Sequence, residues 1–331
     1  MNNTIGHKFI LTITGSSHGK EVGGKLENCP KGLIVDNDYI ARELDRRRPQ
    51  KYGTSRIEDD CVHFLSGIAD GRTDGTSIEF RVVNHNIRKE DYDSFKGWFR
   101  PSHADYPYFV KYGQDSLKYK DMASARMFLP VVVAGCFAKM FLQQRGIVVN
   151  AIVTEIGGID YLNDREQVEN LLKEVTKKQD TVAGKIRCEV NGVGVGLGEP
   201  IFEKLSANLA KAMMNVPSAV SFSLGDISYR DRLLGSQDID LWKEDFTTVT
   251  NHSGGLNAGL TNGMPIVFSV GFHAIHTLSQ RMTLINEKGQ LQIKEIGGRH
   301  DTCQLLRTPV IVESLAAMVV TDFILMNDKK N

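Results

Sequence analysis

Three short stretches concentrate side chains that handle protons and anions. FRPSHADYPYFVKYG (99–113) places Arg100, His103 and Asp105 close together between the aromatics Phe99 and Tyr108. GSSHG (15–19) offers Ser17 and His18 between glycines, which let a ligand approach the backbone closely. GGRHDTC (297–303) sets Arg299, His300 and Asp301 in succession. Imidazole titrates near neutrality and can pass a proton to or from a reacting group. Guanidinium grips carboxylate or phosphate through two parallel hydrogen bonds. Further arginines stand at 46–48, 56, 126 and 307. Any one of them reads most simply as a surface ion pair or a helix-end charge. Two Arg/His/Asp groups and a histidine loop together predict one shared site for a polyanion, equipped with acid–base groups.

Other chemistries read less well. GSSHG fits the Gly-x-Ser-x-Gly nucleophile elbow, with Ser17 as nucleophile, but an elbow must feed a helix. The following KEVGGKLENCP is too rich in glycine for one, so a hydrolase is a weak reading. NGVGVGLGEP (191–200) matches neither nucleotide-binding glycine pattern, and a turn into a helix at Glu199 explains it equally well. HSGGLNAGLTNG (252–263) reads as an anion-cradling loop or a flexible turn. HAIH (273–276) lacks a further ligand at metal-site spacing, and residues three apart on a strand face opposite ways, so no metal is expected.

The elements that must carry these groups alternate. HKFILTITG sets Phe9, Leu11 and Ile13 on one strand face; TSIEFRVV alternates Ile78, Phe80 and Val82; GMPIVFSVGFH alternates Ile266, Phe268, Val270 and Phe272. DNDYIARELDRRRP predicts a helix capped by an aspartate, buried through Ile40 and Leu44, and stopped by Pro49. EPIFEKLSANLAKAMMNVP places Phe202, Leu205, Leu209, Met213 and Val216 on one helical stripe. REQVENLLKEVTKK predicts a surface helix inward through Val168, Leu171, Leu172 and Val175. FLPVVVAGCFAKMFL (128–142) and TPVIVESLAAMVVTDFILM are apolar nearly all round and predict interior helices; the first is short for a bilayer and carries Lys139. With no linker, charge block or repeat, a single α+β domain spanning 1–331 is expected, with sheets and buried helices in layers.

Forty basic and forty acidic residues leave no net charge, so no global field gathers nucleic acid or an anionic membrane. Five scattered cysteines suggest reduced thiols in a cytosolic protein, and the polar start MNNTIGHKF predicts no signal peptide.

GSSHG, DRRRP, RPSHADYPYFVKYG, SARMF…AGCFAK, GLGEPIFEKLSANLAKAM, NHSGGLNAGLTNG and GRHDTC…R…PVIVESLAAM occur in this order, and the chain resembles the chorismate synthase family almost end to end. RPSHADYPYFVKYG and GRHD are its most specific segments, while the region around 155–180 is shorter than in most members. The resemblance implies a layered β-α-β sandwich, usually a homotetramer, with no nucleic-acid or membrane partner. It implies a 1,4-anti elimination of phosphate from 5-enolpyruvylshikimate 3-phosphate, giving chorismate, with reduced FMN required and no net redox change. NADPH is a reductant for the flavin in some members. By the same resemblance His18 protonates the departing phosphate, His103 keeps the reduced ring in the right protonation state, and Asp301 helps the flavin receive the ring proton. Arg47, Arg100, Arg126 and Arg307 hold the substrate's anionic groups, and Arg299 lies where substrate and flavin meet.

Departures gather on the flavin side, where Met122, Ala123, Ser124, Ala258, His273 and Thr277 are the implied lining. The family's G-E-S-H-G has Ser16 for its glutamate, and GRHDPC has Thr302 for its proline. The run G-G-G-R-S-S-A-R-E-T reads YKDMASARMF, so Met122 replaces an arginine and Ala123 a serine, while Ser124 and Arg126 remain. F-K-P-x-x-T reads FHAIHT, with His273 for lysine and Ala274 for proline; Ala258 stands for a glycine. Either Lys51 or Arg56 stands for a second arginine. Each lost cationic partner of a phosphate removes a bond worth about 1.5–3 kcal/mol. The alternative reading is therefore a paralogue of the same fold with weakened flavin binding and another ligand.

Overall fold

A computed structural model describes residues 3–49, 51–54, 59–85, 97–113, 116, 121–225, 230–296 and 301–328. Arg56, Arg299 and His300, singled out in the sequence, lie outside the described residues.

Alternating apolar residues build the first sheet. Its strands are β1 (Thr4–Ile5), β2 (Ile10–Gly15), β3 (Glu21–Glu27), β4 (Val62–Phe64) and, after a short ribbon of β5 (Ile68–Ala69) and β6 (Arg72–Thr73), β7 (Ile78–Val83). They pair antiparallel in the order β1-β2-β3-β7-β4. Phe9, Leu11, Ile78, Phe80 and Val82 are buried on its inner face, as their spacing predicts. β8 (Trp98–Phe99) belongs instead to a small sheet with β16 (Arg281–Asn286) and β17 (Leu291–Glu295). The second large sheet runs β10 (Ile159–Asp160), β9 (Val148–Ile156), β11 (Gly184–Asn191), β15 (Ile266–Phe272), β12 (Ala219–Leu224). β15, paired on both sides, is buried from Ile266 to Val270 on nearly every residue.

Between the sheets lies a helix layer. α1 (Asn37–Arg47) starts where the Asp36 carboxylate accepts the Tyr39 N–H at 2.8 Å, and it buries Ile40 and Leu44. α2 (Asp105–Tyr112) is short. α3 (Leu129–Gln143) packs on β2 and β3, while α7 (Pro309–Asn327) packs on β9 and β11. By length and composition Ala125–Gln143 and Pro309–Asn327 are apolar enough to cross a membrane; here 83% and 78% of their apolar windows lie inside the core. The two helices cross at Gly135, where a Cβ would stand 2.2 Å from the Ser314 Cβ. Only glycine permits that approach.

α4 (Arg165–Lys177) is the surface helix expected, inward through Val168 and Leu172. α5 (Leu205–Met214) buries Leu205, Leu209 and Met213, but Phe202 is not on it. Ile201–Glu203 form a separate 3-10 turn, so the helix starts six residues after Glu199 and Phe202 is 90% exposed. Lys204 adopts an extended backbone there and breaks the helical stripe. α6 (Gly235–Asp238) is a single turn. Within the stretch 252–263, β13 (Leu256–Asn257) and β14 (Leu260–Thr261) make a hairpin through Ala258 and Gly259, both at positive φ (52° and 102°).

A buried ionic network ties the layer together. Glu313 at the start of α7 receives both terminal nitrogens of Arg46 at 2.6 Å, Lys139 at 3.2 Å and the Ala151 N–H at 3.0 Å. Glu43 of α1 also accepts from Lys139 and Arg46.

Candidate active site

The ends of several elements meet at one edge of the helix layer. Arg47 lies in the last turn of α1. Arg126 sits in the 3-10 turn Ala125–Phe128 leading into α3, and Arg307 in the matching turn Gln304–Arg307 leading into α7. His18 lies in the turn between β2 and β3. Glycine-rich KEVGGKLE is strand β3, not a helix, so GSSHG lacks the frame of a nucleophile elbow.

Asp60, fully shielded, joins two of the arginines. Its carboxylate accepts from Arg47 Nη2 and from Arg126 Nη1, each at 2.5 Å. Burial opposes its ionisation, yet the two guanidinium groups hold it below the usual carboxylate range. Arg126 Nε donates to Asn84 Oδ1 at 3.0 Å, and the Asn84 amide donates to the carbonyls of Ser16 and Gly19. Asn84 thus fixes the histidine loop to the arginine cluster. Arg307 Nη2 donates to Asp301 Oδ2 at 2.5 Å, and Asp301 Oδ1 accepts the Thr54 N–H at 2.8 Å.

The cluster is short of negative charge. Burial pulls the Arg47 guanidinium down to about 10; Asp60 opposes this, whereas Arg126 and Arg307 add to it. Arg47 Nε, Arg126 Nη2 and Arg307 Nε are buried without a hydrogen-bond partner among the described residues. Orphaned charged donors are costly, and an anion with several oxygens would satisfy them. Arg47 and Arg307 line a small cavity with Ala125, Gln304, Thr308 and Ile311.

His18 carries its own acid. Nδ1 lies 2.5 Å from Asp121 Oδ1 and 3.0 Å from the buried Ser17 Oγ. Asp121 begins the segment that continues through Met122, Ala123 and Ser124 to Arg126. Met122 packs against the hydrophobic core, Ala123 is exposed, and Ser124 caps the Arg126 turn by accepting its N–H at 3.3 Å.

A second group surrounds His103. Arg100 Nε and Nη2 donate to the two oxygens of Asp105 at 2.8 and 3.0 Å. Arg100 Nη1 donates to the Thr277 hydroxyl at 3.0 Å, and Nη2 lies 3.0 Å from His103 Nδ1. Burial disfavours the Asp105 charge, but hydrogen bonds from His103 and Arg100 drive its carboxyl well below the ordinary range. The His273 and His276 rings stack at 4.1 Å and 8°, and His276 Nδ1 lies 2.9 Å from the Ser102 carbonyl. The opposite-face expectation for these two histidines fails because β15 ends at Phe272, before either of them.

The residues expected from sequence are thus brought into two groups: His18, Arg47, Arg126, Asp301 and Arg307 in one, Arg100, His103, Thr277 and His273 in the other. Ala258 sits on the β13–β14 turn. Sequence reasoning missed Asp60, Asn84, Asp121 and Thr54. Asp105 was visible inside RPSHAD, but its pairing with Arg100 was not; the others sit in unremarkable runs far from their partners along the chain.

A family model described as chorismate synthase matches residues 9–325. The chain is 41% identical to the chorismate synthase of Azobacteroides pseudotrichonymphae genomovar. CFP2, over 98% of this chain and 99% of that one. It is 38% identical to that of Christiangramia forsetii, over 98% of each. A crystal structure of a chorismate synthase superposes with a TM-score of 0.76 at 24% identity, covering 98% of this chain and 93% of the other.

Proposed function

The chain belongs to the chorismate synthase family, and on that premise we propose that it eliminates phosphate from 5-enolpyruvylshikimate 3-phosphate to give chorismate, using FMN as its reduced flavin. The observation that carries this reading is the buried Arg47–Asp60–Arg126 cluster, with Arg307 beside it and guanidinium donors that meet no acceptor among the described residues. A ring compound bearing a phosphate and two carboxylates supplies the acceptors those donors lack.

Arg47, Arg126 and Arg307 would bind and orient these anionic groups. His18 would give a proton to the departing phosphate, since a phosphate leaves more readily as its charge is reduced. Asp301, with one oxygen on Arg307 and the other on the Thr54 N–H, would be the carboxylate that helps take up the proton lost by the substrate ring.

The donor set of the second group fits a flavin. The buried Thr277 hydroxyl accepts from Arg100 and has its own proton to donate, and the His273–His276 stack offers an aromatic face with ring nitrogens. Arg100, expected from the resemblance to hold substrate, bonds Thr277 and lies beside His103, so here it would instead join His103, Thr277, His273, Ser124 and the Ala258 turn in holding the flavin, while Arg299 keeps its implied role toward both ligands. Met122, packed on the core, contributes no donor. When bound, the reduced flavin would supply electron density for breaking the C–O bond, with no net redox change. NADPH would serve as an external reductant. The exposed Phe202, Phe246 and Trp242 side chains support assembly with further copies, and we place the protein in the cytoplasm as a homotetramer.

Anaerobic incubation with FMN, dithionite and 5-enolpyruvylshikimate 3-phosphate should release inorganic phosphate and chorismate. A protein that releases none at saturating flavin is the paralogue instead.

A further inference from the structure

The loop that carries His18 offers no carboxylate: Ser16 and Ser17 precede the histidine and Gly19 follows it. A carboxylate nevertheless reaches the ring from across the site, since Asp121 Oδ1 lies 2.5 Å from His18 Nδ1. In the family's G-G-G-R-S-S-A-R-E-T run this position is the third glycine, so the acid belongs to this chain and not to that motif. We propose that Asp121 is the positioning residue of the acid–base histidine, fixing the proton on Nδ1 so that Nε2 is the nitrogen that exchanges with the ligand.

An ionised carboxylate only accepts, so a contact this short requires a proton on Nδ1. The Ser17 hydroxyl, at 3.0 Å from the same nitrogen, both donates and accepts and therefore adapts to either tautomer. Alone it would not choose between them. The side chains of His18 and Asp121 are 22% and 23% exposed, so water competes little for the pair. The anchoring is two-sided: Asn84 holds the backbone of 16–19, and Arg126, five residues beyond Asp121, is tied to that same Asn84. Histidine and acid are thus delivered to each other by one buried linkage. When Nε2–H gives its proton to the phosphate oxygen, Nδ1–H stays on Asp121 and the ring becomes neutral.

This inference rests on the proposed elimination for its kinetic readout but not for its spectroscopic one. In Asp121→Asn the amide donates to Nδ1 and favours the opposite tautomer. The kcat for phosphate release should fall about 100-fold with KM for substrate essentially unchanged, and Asp121→Glu should restore much of it. In the full chain labelled with 15N-histidine, with the His18 signal assigned by His18→Gln, the wild type should show Nδ1–H and Asp121→Asn should show Nε2–H. Unchanged kcat with an unchanged His18 tautomer would overturn the proposal, as would a rise in KM alone. Wild type with Nδ1–H but no phosphate release would uphold the Asp121–His18 assignment and defeat the chorismate-synthase reading.

Discussion

Asp60 sets the electrostatics of the guanidinium cluster because it is one acid serving two arginines. Arg126 spends Nη1 on Asp60 and Nε on Asn84, which leaves Nη2 for a ligand. A lysine has no planar fork to divide in this way. Arg126→Lys should therefore lose one charge-assisted hydrogen bond, about 1.5–3 kcal/mol, lowering kcat/KM about 10- to 100-fold by steady-state assay. On the flavin side, Met122→Arg should tighten FMN binding about tenfold in a fluorescence titration, by restoring a single charged partner. An unchanged Kd would remove Met122 from the cofactor's surroundings. At this scale the histidines and arginines were legible because their chemistry is rare and their clusters short. The acids that organise them were not: Asp60 is 13 residues from Arg47 and 66 from Arg126, and only folding brings them into contact.

Strands and helices were legible wherever a side-chain period ran unbroken, as in α1 with its Asp36 cap and in β7 with Ile78, Phe80 and Val82. They failed where the backbone changed state without a change in hydropathy. Phe202 fits the stripe of α5 by spacing, but Ile201 at φ 63° and extended Lys204 detach it. HAIH follows a strand and reads as its continuation, yet the register ends at Phe272. Ala258 shows the converse, a residue whose backbone is set by its hairpin. Left-handed φ costs a non-glycine residue about 1–2 kcal/mol, partly offset by the flexibility glycine loses. Ala258→Gly should raise the melting temperature by about 1–3 °C, measured by differential scanning calorimetry. A lower value would show that the alanine methyl makes a contact that outweighs the strain.

Across the whole molecule, stability is coupled to buried acids. Asp60, Asp105 and Glu313 all sit below the ordinary carboxylate range: burial opposes it each time, and neighbouring cations and hydrogen-bond donors overcome it. Acids depressed in the folded state stabilise it fully above their unfolded pKa, about 4, and lose that contribution as pH falls below it. The urea midpoint should be nearly level at neutral pH and drop steeply below about pH 4. Asp105→Asn should have a lower neutral midpoint and a shallower acid slope; a parallel slope would mean that Asp105 is not among the groups responsible. The layered architecture was readable from alternating strands and all-apolar helices, whereas the pairing order of either sheet was not, because it depends on contacts between distant segments. One further property follows from the touch between Gly135 and Ser314. The His18 turn is borne by the sheet under α3, and the turn bearing Arg307 rests on β9 and β11 under α7, so the closeness of that crossing is a gauge for the gap between the His18 imidazole and the Arg307 guanidinium. A single added methyl there would act as a shim, widening the gap between those two turns from within the buried helix layer.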